Sequence, residues 1–101
     1  LPVFITENGA ACNDWVNVRG EVEDPNRIEY LETYLDAVHQ AIEAGVPVMG
    51  YMVWCFSDNF EWSFGTQSRF GLVYLDFATQ VRIPKKSAYW YQALIERNGL
   101  A

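Results

Sequence analysis

The stretch Pro2-Val3-Phe4-Ile5-Thr6-Glu7-Asn8-Gly9 decides how this chain is read. A short apolar run without alternation is the pattern of a parallel strand covered on both faces. It ends abruptly in a carboxylate, an amide and a glycine. Gly9 permits a sharp turn that a residue with a Cβ would resist. In an α/β barrel, chemistry is done at the C-terminal ends of the strands, so an acid delivered there is a candidate catalytic group. The competing reading leaves Glu7 as a strand-end carboxylate facing water.

Further along, the chain alternates strand and helix. The first strand is expected over residues 2–6, followed by a loop from Asn8 to about Glu23 with Asn13-Asp14, Asn17 and Gly20 as turn formers. Connections that long inside compact α/β units tend to be functional. A helix is predicted over 24–44: Asp24 suits the N-cap, Pro25 the first turn, and Gly45 lies just past the end. Ile28, Leu31, Leu35, Val38 and Ile42 recur at intervals of three and four, which makes one apolar stripe to lay on a sheet. A second strand is expected over 46–56, with Pro47 tolerated at its start. A polar-aromatic loop over 57–70 follows. Residues 70–76 read as an extended stretch or hairpin arm turned around Ala78-Thr79-Gln80, and Pro84 precedes a last helix over 87–97 that stops near Gly99.

Apolar strands joined by an amphipathic helix predict parallel pairing through a right-handed βαβ crossover. Two strands cannot close a barrel, which needs about eight, or protect their own edges. Residues 1–101 are therefore expected to be two βα units of a larger α/β barrel, not an autonomous domain. A start at Leu1, inside a strand, gives the same expectation of a piece of a longer chain.

Composition narrows the function. Half of the 101 residues are hydrophobic and 16% aromatic, too apolar for disorder. Net charge is −6 and the seven Lys and Arg are scattered apart from Lys85-Lys86, which argues against nucleic acid as a partner. No apolar run approaches the roughly 20 residues of a membrane span, and no secretory signal pattern is present. Cys12 and Cys55 lack metal-ligand spacing and are expected as free thiols in a reducing cytoplasm. Neither a metal nor a cofactor is expected.

Parallel neighbours lie about 4.8 Å apart, so adjacent strands would bring Glu7 and Trp54 out side by side at one mouth. Beyond Trp54 comes Cys55-Phe56-Ser57-Asp58-Asn59-Phe60-Glu61-Trp62. Two indoles with acids and an amide suit a sugar: indole faces stack on pyranose C–H faces, and the polar groups exchange hydrogen bonds with hydroxyls. The plainer alternative makes both tryptophans core filler and Asp58-Asn59 a turn.

Thr6-Glu7-Asn8-Gly9, Asp58-Asn59-Phe60-Glu61-Trp62, Arg69-Phe70-Gly71-Leu72 and Pro84-Lys85-Lys86-Ser87 with Trp90-Tyr91 together resemble the C-terminal part of family 1 glycoside hydrolases. These are retaining β-glucosidases and β-galactosidases on a (β/α)8 TIM barrel, and the resemblance spans nearly the whole chain. It implies that the two units are barrel strands 7 and 8 with their helices. It also implies a β-glucosidase acting on a β-glucoside or oligosaccharide. Glu7 matches the catalytic nucleophile that forms a covalent glycosyl-enzyme. Trp54 matches the floor of the sugar subsite, followed by a cis peptide. Glu61 matches the acid that grips O4 and O6, Trp62 the indole that donates to O3, and Phe70 a wall residue.

Two departures bear on substrate. Cys55, Phe56 and Ser57 stand where the family usually has serine and two aliphatics, beside the subsite floor. Glu61 would repel a phosphate where 6-phosphoglycoside hydrolases carry a small residue, so a non-phosphorylated hexoside is expected. Retention needs two carboxylates about 5 Å apart, and the family's acid/base lies in a Thr-Asn-Glu-Pro motif that this chain lacks. Glu61 is expected to bind substrate and not to act as the acid, and His39, mid-helix, to be a surface or packing residue. The isolated chain is therefore expected to be inactive and to need the N-terminal part of the barrel or self-association. The rival readings are an inactive assembly fragment and a sugar-binding module.

Overall fold

The opening apolar run forms strand β1 (Val3–Asn8), two residues further than the residues 2–6 read from sequence, in a computed structural model that describes residues 1–100. Its partner is β2 (Val48–Val53), parallel to it, with Val3 opposite Val48, Ile5 opposite Tyr51 and Asn8 opposite Val53. Pairing that runs as far as Asn8 keeps Glu7 inside the strand. Pro47 sits just before β2 and contributes through its carbonyl, which accepts the Val3 N–H at 2.9 Å. The strand expected over 46–56 is shorter because Cys55 and Phe56 leave β1 and pair instead with residues 70–73.

Between the strands runs α1 (Pro25–Glu43), which lies against β2 and the last helix. Of its stripe, Leu31 is fully buried, Ile28, Leu35 and Val38 are half-buried, and Ile42 near its end is 47% exposed. Asp24 precedes the helix, yet its side chain makes no cap; only its backbone carbonyl receives the Arg27 and Ile28 N–H groups. The Asp24 carboxylate is committed elsewhere. It accepts the Ser87 N–H at 2.9 Å and the Ser87 hydroxyl, and it pairs with Arg27 at 2.5 Å.

The stretch after residue 70 forms an antiparallel hairpin of β3 (Val73–Leu75) and β4 (Arg82–Pro84), with Tyr74 opposite Ile83. Its turn is closed by the Asp76 carboxylate, which accepts the Ala78 and Thr79 N–H groups at 3.0 and 3.1 Å. The last helix, α2 (Lys86–Arg97), ends on Asn98 in the left-handed region (φ 54°), one residue before the glycine expected to stop it.

Buried charge fastens these pieces. Arg27 pairs with Asp14 (2.8 Å) and Asp24 (2.5 Å), Lys85 with Asp14 (2.7 Å) and Asp58 (2.8 Å), and Arg69 with Asp58 (2.6 Å). Three carboxylates and three cations make a formally neutral cluster, and all but Arg69 are almost wholly buried. Neutrality is what makes burial tolerable, since an unpaired charge there would cost several kcal/mol. The buried apolar residues are Val22, Leu31, Cys55, Leu72 and Val73.

The expected covering of β1 on both faces is not met within the described residues. Phe4 is 58%, Met49 62% and Met52 53% exposed. A sheet of two strands is too small to enclose its own faces and edges. The radius of gyration, 14.7 Å, also exceeds the roughly 13 Å of an independent domain of this length.

Candidate functional site

β1 and β2 end together. The Trp54 N–H donates to the Asn8 carbonyl at 2.8 Å, and Gly9 presses so closely on Trp54 that a Cβ there would lie 1.7 Å from the Trp54 carbonyl oxygen. Gly9 is thus required by approach and not only by its turn. The peptide between Trp54 and Cys55 is cis.

A cleft of about 380 Å³ opens at this end, lined by Glu7, Asn8, Gly9, Tyr30, Trp54, Glu61 and Phe70. It brings together Glu7, Trp54, Glu61 and Phe70 from separate parts of the sequence, and Glu7 and Glu61 are the carboxylates that face it. The Trp54 indole N–H donates to Glu61 Oε1 at 2.9 Å, so the two side chains orient each other. Trp62 is not among the lining residues. It begins a short 3₁₀ turn (Trp62–Phe64), has a left-handed backbone (φ 46°), and leaves 82% of its surface exposed.

Two lining residues carry no assigned role in the sequence reading, Asn8, which stands there only as part of a motif, and Tyr30. Asn8 Oδ1 accepts the Tyr51 hydroxyl at 2.6 Å, and its amide donates to the Tyr30 hydroxyl at 3.2 Å. The amide thereby ties β1 to both β2 and α1 right beside Glu7. Burial pushes the Tyr51 phenol well up, with Tyr91 and Tyr30 adding to the effect, so it stays a donor. Tyr30 lies beside the apolar stripe of α1, where periodicity marks only packing. The available signal was that an amide next to a strand-end acid needs partners.

The loop carrying Glu61 is zipped at its base. Cys55 N–H donates to the Phe70 carbonyl (3.1 Å), Leu72 N–H to Cys55 (2.9 Å), Val73 N–H to Phe56 (2.9 Å) and Asp58 N–H to Val73 (3.0 Å). Asp58, read as a sugar-facing acid or a turn, is neither. It is 2% exposed, and its oxygens accept from Lys85 Nζ, Arg69 Nη1, and the Gly71 and Leu75 N–H groups. Every lone pair facing inward is taken, so it has nothing to offer a ligand.

Cys12 and Cys55 are free thiols, and burial pushes both up. His39 is an exposed helix residue 3.8 Å from Glu43. Among the described residues no group of His, Cys, Asp and Glu is arranged to hold a metal ion, and no helix is long and apolar enough to cross a membrane. A larger groove of about 480 Å³ between α1 and α2 is lined mainly by Leu35, Val38, Ile42, Leu94 and Leu100. It is a crevice between helices that also takes in Asp36, His39 and Asn98, and it holds none of the residues read from the sequence as site residues.

The family model for glycosyl hydrolase family 1 matches residues 1–100. A 1,4-beta-D-glucan glucohydrolase of Thermotoga neapolitana is 54% identical over 98 residues, covering 97% of this chain and 22% of that protein. A bifunctional beta-D-glucosidase/beta-D-fucosidase of Bifidobacterium breve is 48% identical over 99 residues, covering 94% of this chain and 22% of that protein. Among solved structures, a family 1 β-glucosidase of Thermotoga maritima in complex with isofagomine lactam superposes with a TM-score of 0.98 at 51% identity, covering 99% of this chain and 23% of that one. The chain thus spans about a fifth of the length of the relatives it matches.

Proposed function

The chain belongs to glycosyl hydrolase family 1, and from that premise we propose that it supplies the nucleophile and part of the sugar subsite of a retaining β-glucosidase. In this reading it contributes the last two βα units, strands 7 and 8, of a (β/α)8 barrel. The observation that carries the reading is the cleft, where Glu7 at a strand end faces an indole paired with a second acid. Glu7 attacks the anomeric carbon of a β-D-glucoside or related non-phosphorylated hexoside as the glycosidic C–O bond breaks and the aglycone leaves with a proton from the acid/base, giving a glycosyl-enzyme that water then hydrolyses. Trp54 is the floor on which the sugar ring stacks. Glu61, held by that indole, takes the distal hydroxyls O4 and O6, and Phe70 forms a wall. Trp62 donates to O3 from the rim, since its indole stands outside the cleft lining. Remote binding of this kind provides energy that distorts the ring toward its oxocarbenium-like transition state.

Retention needs a second carboxylate about 5 Å from the nucleophile. Glu61, the other acid in the cleft, is engaged by Trp54 and is assigned to binding, so the acid/base comes from outside these residues. The isolated chain is accordingly inactive, and its uncovered strands require the rest of the barrel or self-association. A reducing, cytoplasmic setting belongs to the same reading and rests on the two free thiols. The test uses the full-length protein and an aryl β-glucoside. Glu7→Gln costs several orders of magnitude in kcat/KM, and a loss of less than about tenfold removes Glu7 from the nucleophile's role.

A further inference from the structure

The loop between residues 58 and 69 carries Glu61, and its internal turn, where the Glu61 N–H donates to the Gly65 carbonyl, shapes its tip but not its base. Its two ends are joined by side chains. Asp58 at the entry pairs with Arg69 at the exit at 2.6 Å, and Asp58 Oδ1 also accepts the Gly71 N–H at 3.0 Å. Asp58 is also held by Lys85, which follows β4, is fully buried and reaches it at 2.8 Å. Gly71 leaves no slack: a Cβ there would lie 2.2 Å from the Asp58 nitrogen. The Arg69 guanidinium donates to the Leu75 carbonyl at 2.8 Å and lies over the Tyr74 ring at 4.1 Å, so it is anchored to the hairpin. Its own carbonyl accepts Arg27 Nη2 at 2.8 Å and the Cys12 N–H at 3.0 Å, one residue before Phe70 enters the cleft.

From this geometry we infer that Asp58, Arg69 and Lys85 are positioning residues that clamp the base of the loop and set where Glu61 and Phe70 stand opposite Glu7. None of the three lines the cleft. The clamp acts through Glu61, so releasing it weakens the grip on distal sugar hydroxyls and leaves the nucleophile untouched. The inference rests on the glucosidase reading above.

Arg69→Gln is the informative variant. Arg69 is the member of the cluster with some solvent access, 16%, and its removal leaves Asp58 still paired with Lys85 and Gly71. The Arg69 carbonyl contacts stay in place. In the full-length protein, kcat/KM is measured for an aryl β-D-glucoside and for its 6-deoxy analogue, which lacks one of the hydroxyls assigned to Glu61. In Arg69→Gln the preference for the glucoside falls at least about fivefold, with KM rising and kcat nearly unchanged. Arg69→Lys keeps a cation for Asp58 but gives up the guanidinium's seat over Tyr74 and its hydrogen bond to the Leu75 carbonyl, so it recovers only part of the parent preference. Lys85→Met shows the same loss of preference if it folds. A role confined to stability lowers the amount of active protein, which reduces both substrates equally and leaves KM unaltered; that result overturns the inference. Parent protein without Glu7-dependent turnover of either substrate overturns the glucosidase reading instead.

Discussion

The Trp54 indole and the Glu61 carboxylate are locked together by a hydrogen bond of 2.9 Å, although Glu61 lies out on a loop and Trp54 just past a strand end. A charge-assisted bond of this kind is short and directional. It holds the acid at the polar edge of the indole, leaving the ring face free.

Trp54→Phe separates the two jobs of the indole, keeping an aromatic face and deleting the donor. A hydrogen bond to a charged group contributes about 1.5–3 kcal/mol, so binding of a β-glucoside to full-length Glu7→Gln protein weakens about tenfold or more. Trp54→Ala removes the stacking surface too and weakens binding further. Calorimetric titration checks both, and an affinity within about twofold of the parent for Trp54→Phe shows that the bond does not organise the subsite.

Gly9→Ala meets backbone. The new methyl would sit 1.7 Å from the Trp54 carbonyl oxygen, and that oxygen cannot rotate away as a side chain would. The ends of β1 and β2 must part, at a cost of about 1–3 kcal/mol, and Glu7 moves with them. A lowered denaturant midpoint together with a fall in turnover is expected. Parent-like stability and rate would mean the strand ends are not in contact.

What the sequence disclosed and what it hid divide along a physical line. Glu7 on a strand end, the stripe of α1 and the strand–helix–strand order were legible because each is written in neighbouring residues or in a fixed period. The charge cluster was not. Asp14 meets Lys85 across 71 positions, and no local pattern announces such a pairing. Asp24 looked like a helix cap because caps are local, whereas its carboxylate serves Ser87, 63 positions away. Asp58 looked available to a sugar because exposure is not readable from a polar-aromatic run.

Lys85 and Lys86 are adjacent in sequence and opposite in consequence. Lys85 is fully buried between Asp14 and Asp58; Lys86 is 44% exposed and reaches Glu21 at 3.0 Å. Lys85→Met leaves two buried carboxylates short of a shared cation and destabilises by about 3–5 kcal/mol. Lys86→Met removes an exposed pair of the kind that contributes little. Urea unfolding of the two full-length variants separates them, and equal midpoints would show that the cluster does not hold the fold.

Stability falls at alkaline pH, and the sign follows from the buried acids. Burial pushes the Cys12 and Cys55 thiols above their ordinary value of 9.0, and the Tyr51 and Tyr91 phenols above 10.0. Each group is neutral when protonated, so the folded chain keeps protons that the unfolded chain releases. Where the folded state binds more protons, the free energy of unfolding declines as pH rises. The contribution is intact below the unfolded value of each group and is lost as pH climbs from there through the folded value. Urea midpoints should therefore be level between about pH 7 and 8.5 in these groups' share and decline above about 9. Replacing both cysteines with alanine should flatten the first part of that decline and leave the tyrosine part above about 10. Both thiols should also react slowly with iodoacetamide at about pH 8 in the native protein, because the thiolate is the nucleophile. A cysteine-free variant with an unaltered alkaline profile, or rapid native alkylation at both positions, would contradict the burial on which the sign depends.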